Sequence, residues 1–160
     1  MEIRQACVYI REMKDRYYVT STGVVYTECK DNKVMVDGAL YRVTKHMRNE
    51  AKSSDKEFYI PFKALGMKCI VLRNGTVLRS LKTRIKECGS VVVSMFNILN
   101  VEKKIYVSRL VAACFIADIA GKEVHHIDHN RSNNNVENLQ VLSFEEHRGK
   151  GSHKENHYQV

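Results

Sequence analysis

The stretch "VHHIDHNRSNNNVENLQVLSFEEH", from Val124 to His147, constrains the fold of this chain more than any other. Residues 125–160 hold six of the seven histidines, and asparagine recurs at Asn130, Asn133, Asn134, Asn135 and Asn138. A buried imidazole or side-chain amide needs a hydrogen-bond partner, so such a stretch gains little from hydrophobic burial. Something other than core packing set its composition. The order of residue types still prescribes elements. A short strand is expected over 124–127, then a long polar loop to Glu137, then a return strand in "NLQVLS" (138–143). "SFEEHRGK" begins at Ser143 and has Glu146 three residues on, a capping box that opens a short helix. The predicted order is strand, loop, strand, helix, with histidines on the first strand and on the helix.

Upstream, "YYVTSTGVVYT" (17–27) and "CIVLRNGTVLR" (69–79) each read as strand, turn, strand, with glycine at the turn. Side by side they match at Val19/Val71, Gly23/Gly75 and Val25/Val77. Each is followed by a further strand candidate, "GALYRV" and "GSVVVSMFNI". Each half then has a third apolar segment, "EFYIPFKAL" (57–65) and "KIYVSRLVAACFI" (104–116). A degenerate duplication, roughly 1–66 and 67–122, is the expectation. "NEAKSSDKE" (49–57) is polar and aperiodic and is expected to be a loop. "SRLVAACFIAD" (108–118) is expected to be a helix capped by Ser108, with Leu110, Val111, Cys114 and Phe115 on one face. The fold class is α+β: a small β-hairpin-rich N-terminal region, then the strand–loop–strand–helix segment.

At 160 residues the chain makes one ordinary domain or two small ones, and 44% hydrophobic residues is normal for a globular protein. The five cysteines (7, 29, 69, 88, 114) form no CxxC pair, which disfavours a disulfide framework or a zinc ribbon and fits a reducing compartment. "MEIRQACVYIREMK" lacks a signal pattern and no apolar run is long enough to span a membrane, so the expected location is cytoplasmic. Net charge is +8. Residues 30–86 hold fourteen Lys/Arg against five Asp/Glu, a surplus of nine, so the remainder sums to −1. A polyanion would meet its attraction in the middle of the chain.

The C-terminal stretch resembles the HNH nuclease family, whose core is the ββα-metal motif. "EVHHIDHNRSNNNVENLQVLSFEEH" follows the family's pattern: an apolar residue, His or Asp, His, apolar, Asp, an Asn-rich loop, "ENL", a strand, and a closing His or Asn. "YVSRLVAACFI" resembles the helix that precedes the motif in phage-type HNH endonucleases, including homing enzymes. Ser108 stands where many relatives carry His, and His129 where many carry Gly. By this resemblance the three letters of the family name fall on His126, Asn138 and His147, and His125 stands at a metal-binding position. The implied catalytic residues are His126 and Asn138, and the implied metal ligands are His125 and His147. Neighbouring strand residues point to opposite faces, so His125 can bind metal while His126 faces the attacking water. An unperturbed imidazole titrates near 6.5, so His126 can serve as a neutral base. Asn138 can hydrogen-bond across the hairpin and fix the loop, while Asp128 and Asn130 brace it. No third metal ligand is evident. His129 reads as a surface or phosphate-contacting residue, His46 as solvated, and His153 and His157 as part of a flexible tail.

The resulting reading is a metal-dependent DNA endonuclease, phage- or homing-endonuclease-like, acting in the cytoplasm, or in a host's cytoplasm if phage-encoded. It uses one divalent cation, Mg2+ by expectation, with Mn2+ or a transition metal as alternatives. Residues 1–66 form a β-rich DNA-binding module, 67–103 a hairpin and basic strand, 104–150 the nuclease motif and 151–160 the tail. The partner is double-stranded DNA, and the protein is a monomer or homodimer. In "RSLKTRIK" (79–86), Arg79, Lys82, Arg84 and Lys86 are the expected DNA-backbone contacts, the last three alternating onto one side of an extended strand. Two rivals remain: a DNA-binding protein whose ββα motif is structural and inactive, and a structural zinc-binding domain, against which the absence of paired cysteines weighs.

Overall fold

The computed structural model describes residues 1–6 and 16–149, so the expected tail with His153 and His157 lies outside the described residues. In chain order the strands and helices are β1 (Ile3–Gln5), β2 (Tyr17–Thr20), β3 (Val25–Glu28), β4 (Lys33–Val36), β5 (Ala39–Arg42), α1 (Lys45–Ser53), β6 (Phe58–Tyr59), β7 (Cys69–Leu72), β8 (Val77–Ser80), β9 (Thr83–Ile85), β10 (Val91–Phe96), β11 (Glu102–Tyr106), α2 (Val107–Phe115), β12 (Glu123–His126), β13 (Leu139–Leu142) and α3 (Phe144–Gly149). The protein is thus of mixed α and β structure, as expected. Two compact units divide it: residues 3–25 with the chain from Lys82 onward, and residues 26–81. The division follows packing, and the functional segments expected from the sequence are a separate matter.

In the unit of residues 26–81, β8 pairs with β3 on one side and β7 on the other, and β6 pairs with β7. β4 and β5 form their own hairpin. Val34, Val43, Ala51, Cys69, Val71 and Val77 are its buried core, with Tyr41, Met47 and Phe62 packed against it. The stretch 49–57, expected to be a loop, is helical through Ser53. Thr44 caps α1 by accepting from the Met47 amide at 3.2 Å. Met47 and Ala51, one turn apart, are its members in the core. Two apolar positions in nine leave no visible period, and docking on the sheet, not periodicity, holds this helix.

In the other unit, β1 pairs with β2, β10 lies between β9 and β11, and β12 pairs with β13, all antiparallel. Helix α2 packs against all three groups of strands through the buried Val107, Leu110, Val111 and Ala112. Its N-cap is Tyr106 with no side-chain cap, so Ser108 is inside the helix and not its cap. Fully buried Val107 is the first helical residue, two positions before the start that a Ser108 cap would set.

The hairpin turns share one design. At β2–β3 the Thr20 amide donates to Val24 O (2.9 Å) and the Gly23 amide to Thr20 O (3.0 Å), and at β7–β8 Leu72, Thr76 and Gly75 repeat the pattern. The β9–β10 turn at Gly89 and the β10–β11 turn at Asn100 also do so. In each, the residue two positions before the return strand has positive φ. This is a type I turn closed by a left-handed residue, a common hairpin solution. The Gly23/Gly75 match therefore reports shared turn chemistry, which carries no information about duplication. The third apolar segments differ outright: 57–65 forms the two-residue β6 and a turn, whereas 104–116 forms β11 and α2.

Candidate functional site

The asparagines build a loop out of side-chain turns. Asp128 Oδ1 accepts from the Asn130 amide (2.8 Å), and Asn130 Oδ1 from the Ser132 amide (3.0 Å). Asn135 Oδ1 accepts from the Glu137 amide (3.1 Å). Short amide and carboxylate side chains stand in for backbone partners that an irregular loop lacks. Asn138 ties this loop to the hairpin. Its Nδ2 donates to Asp128 Oδ1 (2.8 Å) and Asn133 O (2.9 Å), and its Oδ1 accepts from the Asp128 amide (3.1 Å). Hydrogen bonds from Asn133, Asn130 and Asn138 hold the Asp128 carboxyl below the usual carboxylate range.

Two hairpin turns clamp the same loop from outside. Ser21 O accepts from the Val136 amide at 2.7 Å, and Gly89 O accepts from Ser132 Oγ at 2.8 Å. Gly23, at φ +93°, lets the β2–β3 turn lie against Asn134, which is 5% exposed.

β12 places its two histidines in different surroundings, as the alternation of a strand requires. His126 Nε2 lies 2.9 Å from Asn134 Oδ1. An amide oxygen only accepts, so Nε2 carries the proton and Nδ1 keeps the lone pair. Burial is the largest influence on this imidazole and lowers its pKa, and the bond to Asn134 works in the opposite direction. The net effect favours the neutral ring.

His125 and His147 are both 8% exposed, with ring centroids 5.6 Å apart. α3 supplies His147. Its capping box forms as expected, Glu146 N donating to Ser143 Oγ (3.2 Å) and Ser143 N to Glu146 Oε2 (2.8 Å). Glu123 Oε2 lies against His147 Nδ1. That oxygen is buried and has no aligned hydrogen bond, so the contact is electrostatic proximity. His129 also meets His125, ring centroids 5.3 Å apart and nearly perpendicular. It is exposed, as expected of a surface residue, on a left-handed backbone (φ 61°) closed by its amide donating to His126 O at 3.0 Å. Among the described residues no group of three or more His, Cys, Asp or Glu side chains is placed to hold a metal ion.

The basic residues separate. "RSLKTRIK" is not one strand: β8 ends at Ser80 and β9 begins at Thr83. Arg79 is half-buried on the central β8, opposite both Thr27 and Cys69, in the unit of residues 26–81. Lys82, Arg84 and Lys86 are exposed, on or beside β9 in the other unit. Val92 of β10 stands opposite both Arg84 and Tyr106. Lys86 Nζ donates to Tyr106 Oη at 2.8 Å, which puts it beside the same strand row. His46 is solvated, 3.7 Å from Glu50 one turn on.

Sequence reasoning missed Glu123, Asn134 and His129 as neighbours of the histidines. Nothing but their proximity to the motif could have singled them out.

The HNH endonuclease family model matches residues 106–148. The solved structure described as "DNA binding and cleavage by the HNH homing endonuclease I-HmuI" is similar in fold, with a TM-score of 0.53 at 20% identity over 94% of this chain. The chain spans 57% of that protein's length. No curated protein matches. The match to the HNH endonuclease family model covers residues 106–148, and at this identity the likeness to I-HmuI is one of fold.

Proposed function

We propose that this protein is a metal-dependent DNA endonuclease that hydrolyses phosphodiester bonds. The observation that carries the reading is the division of β12: neutral His126 held by Asn134, and the His125–His147 pair apart from it. His126 Nδ1 takes the proton of the attacking water, and Asn134 keeps the ring in the tautomer that allows it. Asn138 acts on the reaction through the loop, by locking Asp128 and Asn133. His125 and His147 fit a divalent cation, because two neighbouring imidazole donors leave positions for water and a phosphate oxygen. When bound, the cation polarises the scissile phosphate and stabilises the leaving oxygen. The Glu123 carboxylate lies against His147 Nδ1, which leaves Nε2 as the nitrogen offered to a cation.

Lys82, Arg84 and Lys86 supply sequence-independent attraction to the backbone of duplex DNA. Arg79, half-buried on β8, is the weaker member of the expected set. The site of action is the cytoplasm, and the protein works as a monomer or homodimer.

The test is to incubate supercoiled plasmid with the full chain and magnesium, manganese or EDTA, then separate nicked from linear product. Cleavage that needs the metal and disappears in His126→Ala supports the reading. Intact plasmid under all metals, with retained DNA binding, would instead make this a DNA-binding protein with an inactive motif.

A further inference from the structure

We infer that Ile98 and Leu99, at the tip of the β10–β11 hairpin, form an apolar wedge that enters between adjacent base pairs of duplex DNA and bends it. The inference rests on the proposed function only in taking DNA as the partner, and it does not require cleavage.

Among the described residues Leu99 (76% exposed) and Ile98 (68%) are the most exposed of the large apolar side chains. Exposed Phe96 and Val101 flank them. Apolar residues scattered singly over a surface are ordinary, but a group gathered at one hairpin end marks a surface that meets another molecule.

The tip is held in shape by its own polar groups. Asn97 is nearly buried, and its Oδ1 accepts from the Leu99 amide (3.0 Å) and the Val101 amide (2.9 Å). The Asn100 amide donates to Asn97 O at 2.9 Å, with Asn100 at φ 62°. A tip fixed in this way loses little conformational freedom when it inserts.

Charge identifies the partner. Val92 stands opposite both Arg84 and Tyr106, and Ser94, on the same face two residues along β10, stands opposite Lys104. Lys86 Nζ donates to Tyr106 Oη at 2.8 Å. Arg84, Lys86 and Lys104 thus share the outer face of this sheet, whose other face carries the buried Val93, Met95 and Ile105. Glu102 is the carboxylate on the outer face, and its Oε1 accepts from Ser94 Oγ. Over residues 82–106 five Lys/Arg stand against two Asp/Glu. Cations that attract phosphates beside Leu and Ile that can separate a base step are the pairing used by proteins that kink DNA. A second copy of the chain is the poorer occupant, because a stable dimer buries about 800 Å2 on each partner, far more than a two-residue tip presents.

The test measures energy transfer across a short mixed-sequence duplex, dye-labelled at both ends, with the full chain in EDTA so that no strand is cut. A matching duplex carries 2-aminopurine, which brightens when it is unstacked. The parent chain should raise the transfer and brighten the probe. Ile98→Ser with Leu99→Ser should abolish both effects and weaken binding by about 10-fold or more. The salt dependence of binding should keep its slope, since no phosphate contact is lost. Leu99→Ser alone should reduce the bend, and Leu99→Met should retain it. A double-serine variant that bends DNA like the parent, or a parent chain that binds DNA and leaves it straight, overturns the wedge. Loss of a parental dimer in sedimentation, with bending intact, would make the tip an interface between copies and overturns it too. A parent chain that does not bind DNA removes the wedge together with the DNA partner. Bending without cleavage after magnesium or manganese is added removes the nuclease reading and leaves the wedge standing.

Discussion

A β-carbon placed on Gly23 would stand 3.0 Å from Asn134 Cβ and 3.3 Å from the Asn134 carbonyl oxygen. A hairpin turn near the N-terminus thus leaves the room that lets Asn134 reach His126. Gly23→Ala combines this clash with an unfavourable φ, and a loss of stability of about 1–3 kcal/mol is expected. Nicking should fall with it, since Asn134 must shift. Urea denaturation alongside the plasmid assay checks both, and an alanine variant with parental stability would show that the turn yields freely.

Asn134→Ala isolates the positioning of the base. It removes the acceptor for His126 Nε2, and cleavage is expected to fall about 10–100-fold with metal affinity unchanged. His126→Ala should cost roughly 10²–10⁴-fold while DNA binding is retained. Single-turnover rates on a nicking substrate separate the two variants, and an Asn134 variant as fast as the parent would remove that residue from the argument.

Glu123→Ala tests the carboxylate beside His147. A divalent cation should bind about 10–100-fold more weakly without it, whereas the rate at saturating metal should recover much of its parental value. Calorimetry on the metal-free variant reads the first quantity. An unchanged affinity would leave Glu123 a structural residue only.

Lys82, Arg84 and Lys86, replaced together by alanine, should weaken DNA binding and flatten its dependence on salt, because each lost phosphate contact lowers the slope by about 0.9. None of the three belongs to the histidine cluster, so metal binding should not change. A filter-binding titration with the parental slope would mean that these exposed cations do not touch DNA.

The thiols should react in a fixed order. Cys88 is exposed, and hydrogen bonds with Ser90, helped by Arg131, lower its pKa. Burial pushes Cys29 up to about 11 and Cys69 up to about 12. The thiolate is the reactive form, so alkylation in the folded protein should strike Cys88 well before Cys29 or Cys69. Peptide mass mapping after brief exposure gives the order, and early labelling of Cys69 would contradict its burial.

The sequence by itself determined the local elements. Turn glycines between β-branched runs specify the β2–β3 and β7–β8 hairpins, Ser143 with Glu146 specifies the start of α3, and adjacent His125 and His126 must diverge because a strand alternates. Each of these effects acts over a few residues, so each is legible in a short window. Helix α1 was not legible, since Met47 and Ala51 show their purpose only against the core they join. Ser108 was misread as a cap because the burial of Val107, a tertiary effect, sets where α2 begins. The single strand expected over 79–86 divides between two compact units, which no pattern of alternating charges reveals.

The tertiary structure alone decided what surrounds the histidines. Gly23 and Ser21 reach the Asn-rich loop from the far end of the sequence, Gly89 braces it from another turn, and Glu123 and His129 come to lie beside His147 and His125. Such pairings depend on how separate hairpins pack on α2, and packing is a property of the whole unit that residue spacing along the chain does not encode.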